Sequence, residues 1–230
     1  MGLIMRNSIC KQHFQRVAAA EASAKAAGDG QPGMTGNAYE LMLAQLDADR
    51  RRLKAIQSVE RKIEVKREIL PTYDDYIAGV LDAGRGVQDD VLMTVLVWRI
   101  DVGDLRGAIA IARHALEHKL TLPDQYKRTL GCLLVEEFAD GALRAIKVGE
   151  AVDTGALGVV ADLTADEDMP DEVRAKLYKA IGLALEAADP AQAQEYLTQA
   201  LAKHEGVGVK KDLERIARTL KNSAGSESSG

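Results

Sequence analysis

The chain has 230 residues and a mass of 24.8 kDa, enough to bury a sizeable core in one large or two small domains. With 47% hydrophobic and 28% charged residues it is a globular sequence, and a net charge of −5 excludes a protein that coats nucleic acid by overall charge alone. No apolar run reaches the roughly 18 residues of a membrane span, and the amino-terminal stretch lacks the apolar core of a signal peptide.

Charge is distributed unevenly along the chain. Residues 1–72 hold 12 Lys/Arg against 8 Asp/Glu, residues 73–170 hold 9 against 18, and the last sixty balance. A basic front on an acidic body predicts two faces for two kinds of partner. Residues 1–38 end in the glycine-rich "AAGDGQPGMTGN" and read as a flexible basic arm, with a short helix over "KQHFQRVAAAEASAKAA" and Lys11, His13 and Arg16 as its cations.

Over 39–71 the pattern becomes a heptad. Tyr39, Met42, Leu46, Leu53, Ile56, Ile63 and Leu70 occupy seven of ten seam positions, with Asp49, Glu60 and Arg67 as polar interruptions. This predicts one coiled-coil-like helix that ends at Pro71 and joins copies of the chain into a homo-oligomer. Its length would be roughly 48 Å at 1.5 Å per residue.

From 72 to 222 the apolar period stays helical. Helices are expected at 73–83, 88–102, 104–119, 125–149, 153–164, 170–187, 189–204 and 209–222, with Asp104 and Asp189 as N-caps and Pro190 at a first helical position. A shift of 85 residues lays the hinge at Asp104 over that at Asp189, each between an apolar helix and an alanine-spaced one. The fold class is therefore all-α: a long helix, then antiparallel helical hairpins of tetratricopeptide-like construction. The polar stretch 223–230 reads as a disordered tail.

Few residues offer chemistry. His114 and His118 share a helix face at zinc-binding spacing but lack a third ligand, and Ala115 stands where a metalloprotease has glutamate. Asp89, Asp90, Asp101 and Asp104 would hold magnesium only by converging, and helix-capping explains three of them. "GRGVQDD" lacks the Gly-Lys-Ser/Thr of a P-loop, Cys10 and Cys132 match neither a disulfide framework nor a zinc spacing, and Trp98 falls on an apolar helix face. No catalytic residue, metal or cofactor is assigned. The distant cysteines fit a reducing cytoplasm.

The cations are more informative. Arg50, Arg51, Arg52, Lys54, Arg61, Lys62 and Lys66 lie off the proposed seam, so an assembled coil would display them outward, with Lys11 and Arg16 added from the arm. Such contacts sum over protomers, each neutralised phosphate releasing counterions. Aromatic residues make up only 4% of the chain, which disfavours base stacking.

The stretches "AYELMLAQLDADRRRLKAIQSVERK" (38–62), "ILPTYDDYIAGVLDAGRGVQDDVLMTVLVWRIDVGDLRGAIAIARHAL" (69–116), "MPDEVRAKLYKAIGL" (169–183) and "GVKKDLERI" (208–216) resemble the small terminase subunit of P2-type tailed phages and their prophages, in order and with compatible spacing. That resemblance implies a homo-oligomer in the host bacterial cytoplasm. It would bind viral double-stranded DNA at the packaging site and recruit or regulate a large ATPase/nuclease subunit. It also implies participation in endonucleolytic cutting by the complex, through no residue that stands out here. The reading from another class is a tetratricopeptide-like adaptor that binds protein and ignores DNA.

Overall fold

The computed structural model describes residues 9–28, 34, 36–123 and 126–227, with side chains described from His13 to Asn222 within those ranges. Lys11 therefore lies outside the described side chains, and 228–230 outside the described residues. The abundance of alanine, leucine and straight charged side chains, which lose little rotamer freedom in a helix, gives helices throughout and no strand among the described residues. The chain divides between Lys127 and Arg128 into two units, inside the single hairpin domain expected over 72–222.

The first unit contains α1 (Ile9–Gly28), α2 (Asn37–Lys54), α3 (Val59–Ile69), a 3-10 turn (Leu70–Thr72), α4 (Asp74–Ala83), α5 (Asp90–Val102) and α6 (Leu105–Glu117). Its centre is α5. Nine of the thirteen α5 residues are buried, because α2, α3 and α6 all pack on it. A helix apolar on every side has no solvent face to keep, and here even Thr94 is enclosed. Asp89 caps α5 by accepting from Val91 N and Leu92 N at 2.8 and 2.9 Å, and Gly103 ends it in the left-handed region at φ 80°. Asp104 caps α6 through Gly107 N at 3.0 Å. Arg99 bridges Asp104 to Asp74 and so fixes the α5–α6 hinge to the start of α4.

The short helix expected over 11–27 is present as α1, and it is laid on α4 where a flexible arm was expected. Ala19, Ser23 and Ala26 form its buried stripe, and small side chains there let two backbones approach closely. A Cβ at Gly79 would fall on the Arg16 carbonyl, so α4 presents glycine at that crossing. Arg16 also pairs with Asp82.

The single helix expected over 39–70 is two helices. Chain after Lys54 leaves helical geometry at Ala55–Ser58, and Ser58 restarts it by accepting from Arg61 N at 3.3 Å. The break changes the register of the apolar stripe. In α2 the buried residues are Met42, Leu46, Asp49 and Leu53, as the heptad places them. In α3 they are Val65 and Ile69, while Glu60 and Arg67 are exposed. The stripe on α2 packs within its own subunit, against α5 and α1, as does Leu70, which is 6% exposed; Tyr39, Ile56 and Ile63 are half-buried.

The second unit contains α7 (Leu130–Val148), α8 (Thr154–Leu163), α9 (Asp171–Leu185), α10 (Pro190–Lys203), a 3-10 turn (Glu205–Val207) and α11 (Lys210–Glu227). Helices α9 and α10 form a hairpin whose backbones approach at Gly182, where a Cβ would lie 2.7 Å from Leu197. Asp189 caps α10 through Gln192 N at 2.9 Å with Pro190 at the first position, as expected. Leu213, Ile216 and Leu220 of α11 cover the α10 residues Ala193 and Leu197. Arg174 is buried and donates to Thr164 Oγ1 at 2.9 Å and to the Thr164 carbonyl, tying the end of α8 to α9. Helix α11 runs through 223–227, where a disordered tail was expected.

Candidate nucleic-acid interface

The corner between α2 and α3 concentrates positive charge. Residues 51–62 carry Arg51, Arg52, Lys54, Arg61 and Lys62 against Glu60 alone, in a chain whose net charge is −5. Only four residues, 55–58, separate the two helices there, and the Arg52–Glu68 ion pair joins one helix to the other.

What each cation touches separates them. Arg52 pairs with Glu68 at 2.8 Å, and Arg61 with Glu64 at 2.7 Å and Glu68 at 3.8 Å. Glu68 thus joins α2 to α3 and braces the corner. Side-chain hydrogen bonding from Glu64, with the charges of Glu68 and Glu64, raises the Arg61 pKa further above its ordinary value. Arg51, Lys54 and Lys62 have no ion pair among the described residues; the first two are exposed and Lys62 half-buried.

The other expected cations are engaged inside the subunit. Arg50 donates to Thr94 Oγ1 at 2.7 Å and so satisfies the buried hydroxyl of α5. Lys66 pairs with Asp101 with its side chain only 15% exposed, and Arg16 pairs with Asp82. Arg51, Lys54 and Lys62 are thus without an ion pair among the described residues, whereas Arg16, Arg50 and Lys66 are engaged within the subunit.

Two buried tyrosine–aspartate pairs tie elements of the first unit together, one of them reaching α2. Tyr73 donates to Asp49 at 2.7 Å, which explains a carboxylate in the apolar stripe of α2, and Gln45 Nε2 donates to the same group at 2.9 Å. Tyr76 donates to Asp89 at 2.6 Å. Burial, then the Asp89 charge, pushes the Tyr76 phenol far above its usual range. Burial likewise raises the Tyr73 phenol, helped by its bond to Asp49, and carries Tyr39 up to about 12. Burial raises the Asp89 carboxyl to about 6, against the hydrogen bonds from Tyr76, Leu92 N and Val91 N that favour its ionised form. Trp98 is in the core, edge-on to Tyr73 with ring centroids 6.1 Å apart.

The remaining candidates stand apart from the corner or from each other. Asp89 and Asp90 lie at one end of α5 and Asp101 at the other, a helix length of roughly 17 Å away. His114 and His118 touch ring to ring at 4.5 Å, and burial, with the neighbouring His118, lowers the pKa of His114. Among the described residues no group of three or more His, Cys, Asp or Glu side chains is placed to hold a metal ion. No helix among them is long and apolar enough to cross a membrane.

Comparison with known proteins gives the family. Residues 43–172, more than half of the chain and including the α2–α3 corner, match the phage small terminase subunit family. The chain belongs to that family. Over 215 residues this terminase subunit is 46% identical to the "Terminase, endonuclease subunit" of Escherichia phage P2, covering 93% of this chain and 86% of that protein. It is 24% identical over 119 residues to the "Probable terminase, endonuclease subunit" of Haemophilus phage HP1 (strain HP1c1), covering 51% of this chain and 42% of that one. No solved structure matches. Membership gives the terminase subunit a role in phage DNA packaging.

The sequence expectation hid one feature of the terminase subunit's surface. A continuous heptad passes over Ala55–Ser58 as ordinary helix, so the turn, with Gln57 and Val59 beside it, was counted as coil surface. The available signal was Ser58 itself, an N-cap residue followed by Glu60 in the first turn, where a carboxylate suits the helix dipole.

Proposed function

We propose that this terminase subunit binds viral double-stranded DNA at the packaging site through the α2–α3 corner, acts as a homo-oligomer, and presents the DNA to a large subunit carrying ATPase and nuclease activities. The observation that carries this reading is the set of cations without intramolecular partners, Arg51, Lys54 and Lys62, on a corner braced by Glu68. An unpaired cation on a fixed frame releases counterions from DNA without first breaking a bond in its own protein. The four-residue turn is close to the length that joins the two helices of a helix-turn-helix.

Assembly multiplies this surface, since three cations per chain are a modest footprint. The α2 stripe is covered within the subunit, which leaves Phe14 and Val17 of α1 and Leu41 of α2, at 69%, 40% and 66% exposure, as larger apolar side chains of these two helices open to a second copy. In this reading the acidic 73–170 region faces the large subunit and keeps DNA on the basic corner. The relatives' printed names speak of an endonuclease subunit; the part assigned to this chain is recognition within the cutting complex.

Fluorescence anisotropy of the full chain with duplex DNA across a salt series tests the reading. A terminase subunit of this kind shows log affinity falling linearly with log salt. A protein-binding adaptor shows no duplex affinity even at low salt.

A further inference from the structure

The α2–α3 corner holds two side chains that charge does not explain. Val59 is 71% exposed, the most exposed large apolar side chain of the described residues, on the first residue of α3. Gln57, two residues earlier in the turn, is exposed, and no side-chain hydrogen bond holds its amide. Neither is needed to build the corner, which Ser58 caps and the Arg52–Glu68–Arg61 network braces. Arg51 and Lys54, within the last turn of α2, and Lys62, one turn into α3, flank them along the chain.

We propose that Val59 and Gln57 read an A·T base pair in the major groove, an inference that rests on the corner being the duplex-binding surface. Thymine alone presents a methyl group in that groove, and an apolar side chain recognises it by contact. Adenine presents an acceptor and a donor side by side, N7 and N6, which a glutamine amide matches with its own donor and acceptor. Residues at the start of a helix entering the groove are the ones that reach base edges. Arg51, Lys54 and Lys62 supply the phosphate contacts that fix the register on either side.

The test uses the full chain and three duplexes of about 24 base pairs: alternating A·T, alternating G·C, and the A·T duplex with deoxyuridine for thymidine, which removes only the methyl groups. The wild-type chain binds A·T about fivefold or more tighter than G·C and loses about two- to fivefold on the deoxyuridine duplex. Val59→Ser, which retains helicity by circular dichroism, binds the thymidine and deoxyuridine duplexes equally and keeps the wild-type salt slope. Gln57→Ala lowers the A·T over G·C ratio and still distinguishes thymidine from deoxyuridine. Equal wild-type affinity for A·T and G·C, or a methyl preference that survives Val59→Ser, overturns the inference while leaving duplex binding intact. Failure to bind any of the three at low salt overturns duplex binding itself, and this inference with it.

Discussion

Tyr73 donates its hydroxyl to the carboxylate of Asp49 across 2.7 Å of buried space, joining the chain just before α4 to the middle of α2. Asp49 is 6% exposed and Tyr73 fully buried, so neither can exchange the bond for water. Tyr73→Phe leaves Asp49 with Gln45 as its side-chain donor, and the expected cost is about 1–3 kcal/mol. Urea denaturation followed by circular dichroism measures it. A loss below a few tenths of a kcal/mol would show that the pair does not hold α2 in place.

The α2 stripe gives a prediction that separates core from interface. Leu46 is fully buried within its own subunit, so Leu46→Ala destabilises the fold by about 2–5 kcal/mol. Light scattering and denaturation of the same variant distinguish the outcomes. A stripe that is core gives a variant of unchanged mass and lower unfolding midpoint. A stripe that is the oligomer seam gives stable, folded monomers.

Docking of α1 depends on the close crossing at Gly79. Gly79→Ala places a methyl group on the Arg16 backbone carbonyl, which cannot move without moving the helix. The expected cost is about 1–3 kcal/mol, the usual range for overpacking. Since α1 buries mainly Ala19, Ser23 and Ala26, it should detach before the rest unfolds. Limited proteolysis shows this as faster cleavage at Arg16 and Lys25 with an intact remainder. Unchanged cleavage rates would mean that the crossing is looser than the geometry requires.

Asp89 makes stability depend on pH in an unusual direction. Burial raises its folded-state carboxyl to about 6 from an ordinary 3.8, so between those values the folded protein binds more protons than the unfolded one. Its contribution is therefore greatest at low pH and is lost as pH rises through about 6, by up to roughly 3 kcal/mol. His114 acts oppositely: with its pKa lowered by burial, it costs stability as pH falls through the ordinary histidine range. The comparison that isolates Asp89 is wild type against Asp89→Asn. The variant should gain stability relative to wild type as pH rises from 4 to 7. A difference constant over that range would place the Asp89 pKa at its ordinary value.

The helices after Pro71 were legible because their signals are local. Asp104, Asp189 and Pro190 mark their own helix starts, and the 85-residue shift lays one observed cap, Asp104, over another, Asp189. The heptad over 39–70 did not by itself separate a core stripe from a coiled-coil seam, for a physical reason. A helix packed on one globular neighbour and a helix packed on a copy of itself both need an apolar stripe, and periodicity alone does not name the partner. Asp49 looked like a polar interruption of the seam because its donor, Tyr73, is 24 residues away. The cations posed the same difficulty. Arg50 and Arg51 are adjacent in sequence, yet one reaches inward to Thr94 and the other outward, a distinction made by helix phase and by α5. The glycines after α1 made its segment read as a loose arm, although its own alanines and serine are what a close helix crossing requires.

The central claim is that Arg51, Lys54 and Lys62 hold the DNA, and the salt dependence of duplex binding tests it most directly. Each phosphate contact contributes about 0.9 to the slope of log affinity against log salt, so replacing all three by alanine should flatten the slope by about 2.7 per bound protomer. Replacing Arg16, Arg50 and Lys66, which are engaged with Asp82, Thr94 and Asp101, should leave the slope near the wild-type value. A slope unchanged in the first triple variant, or lost in the second, would contradict the account.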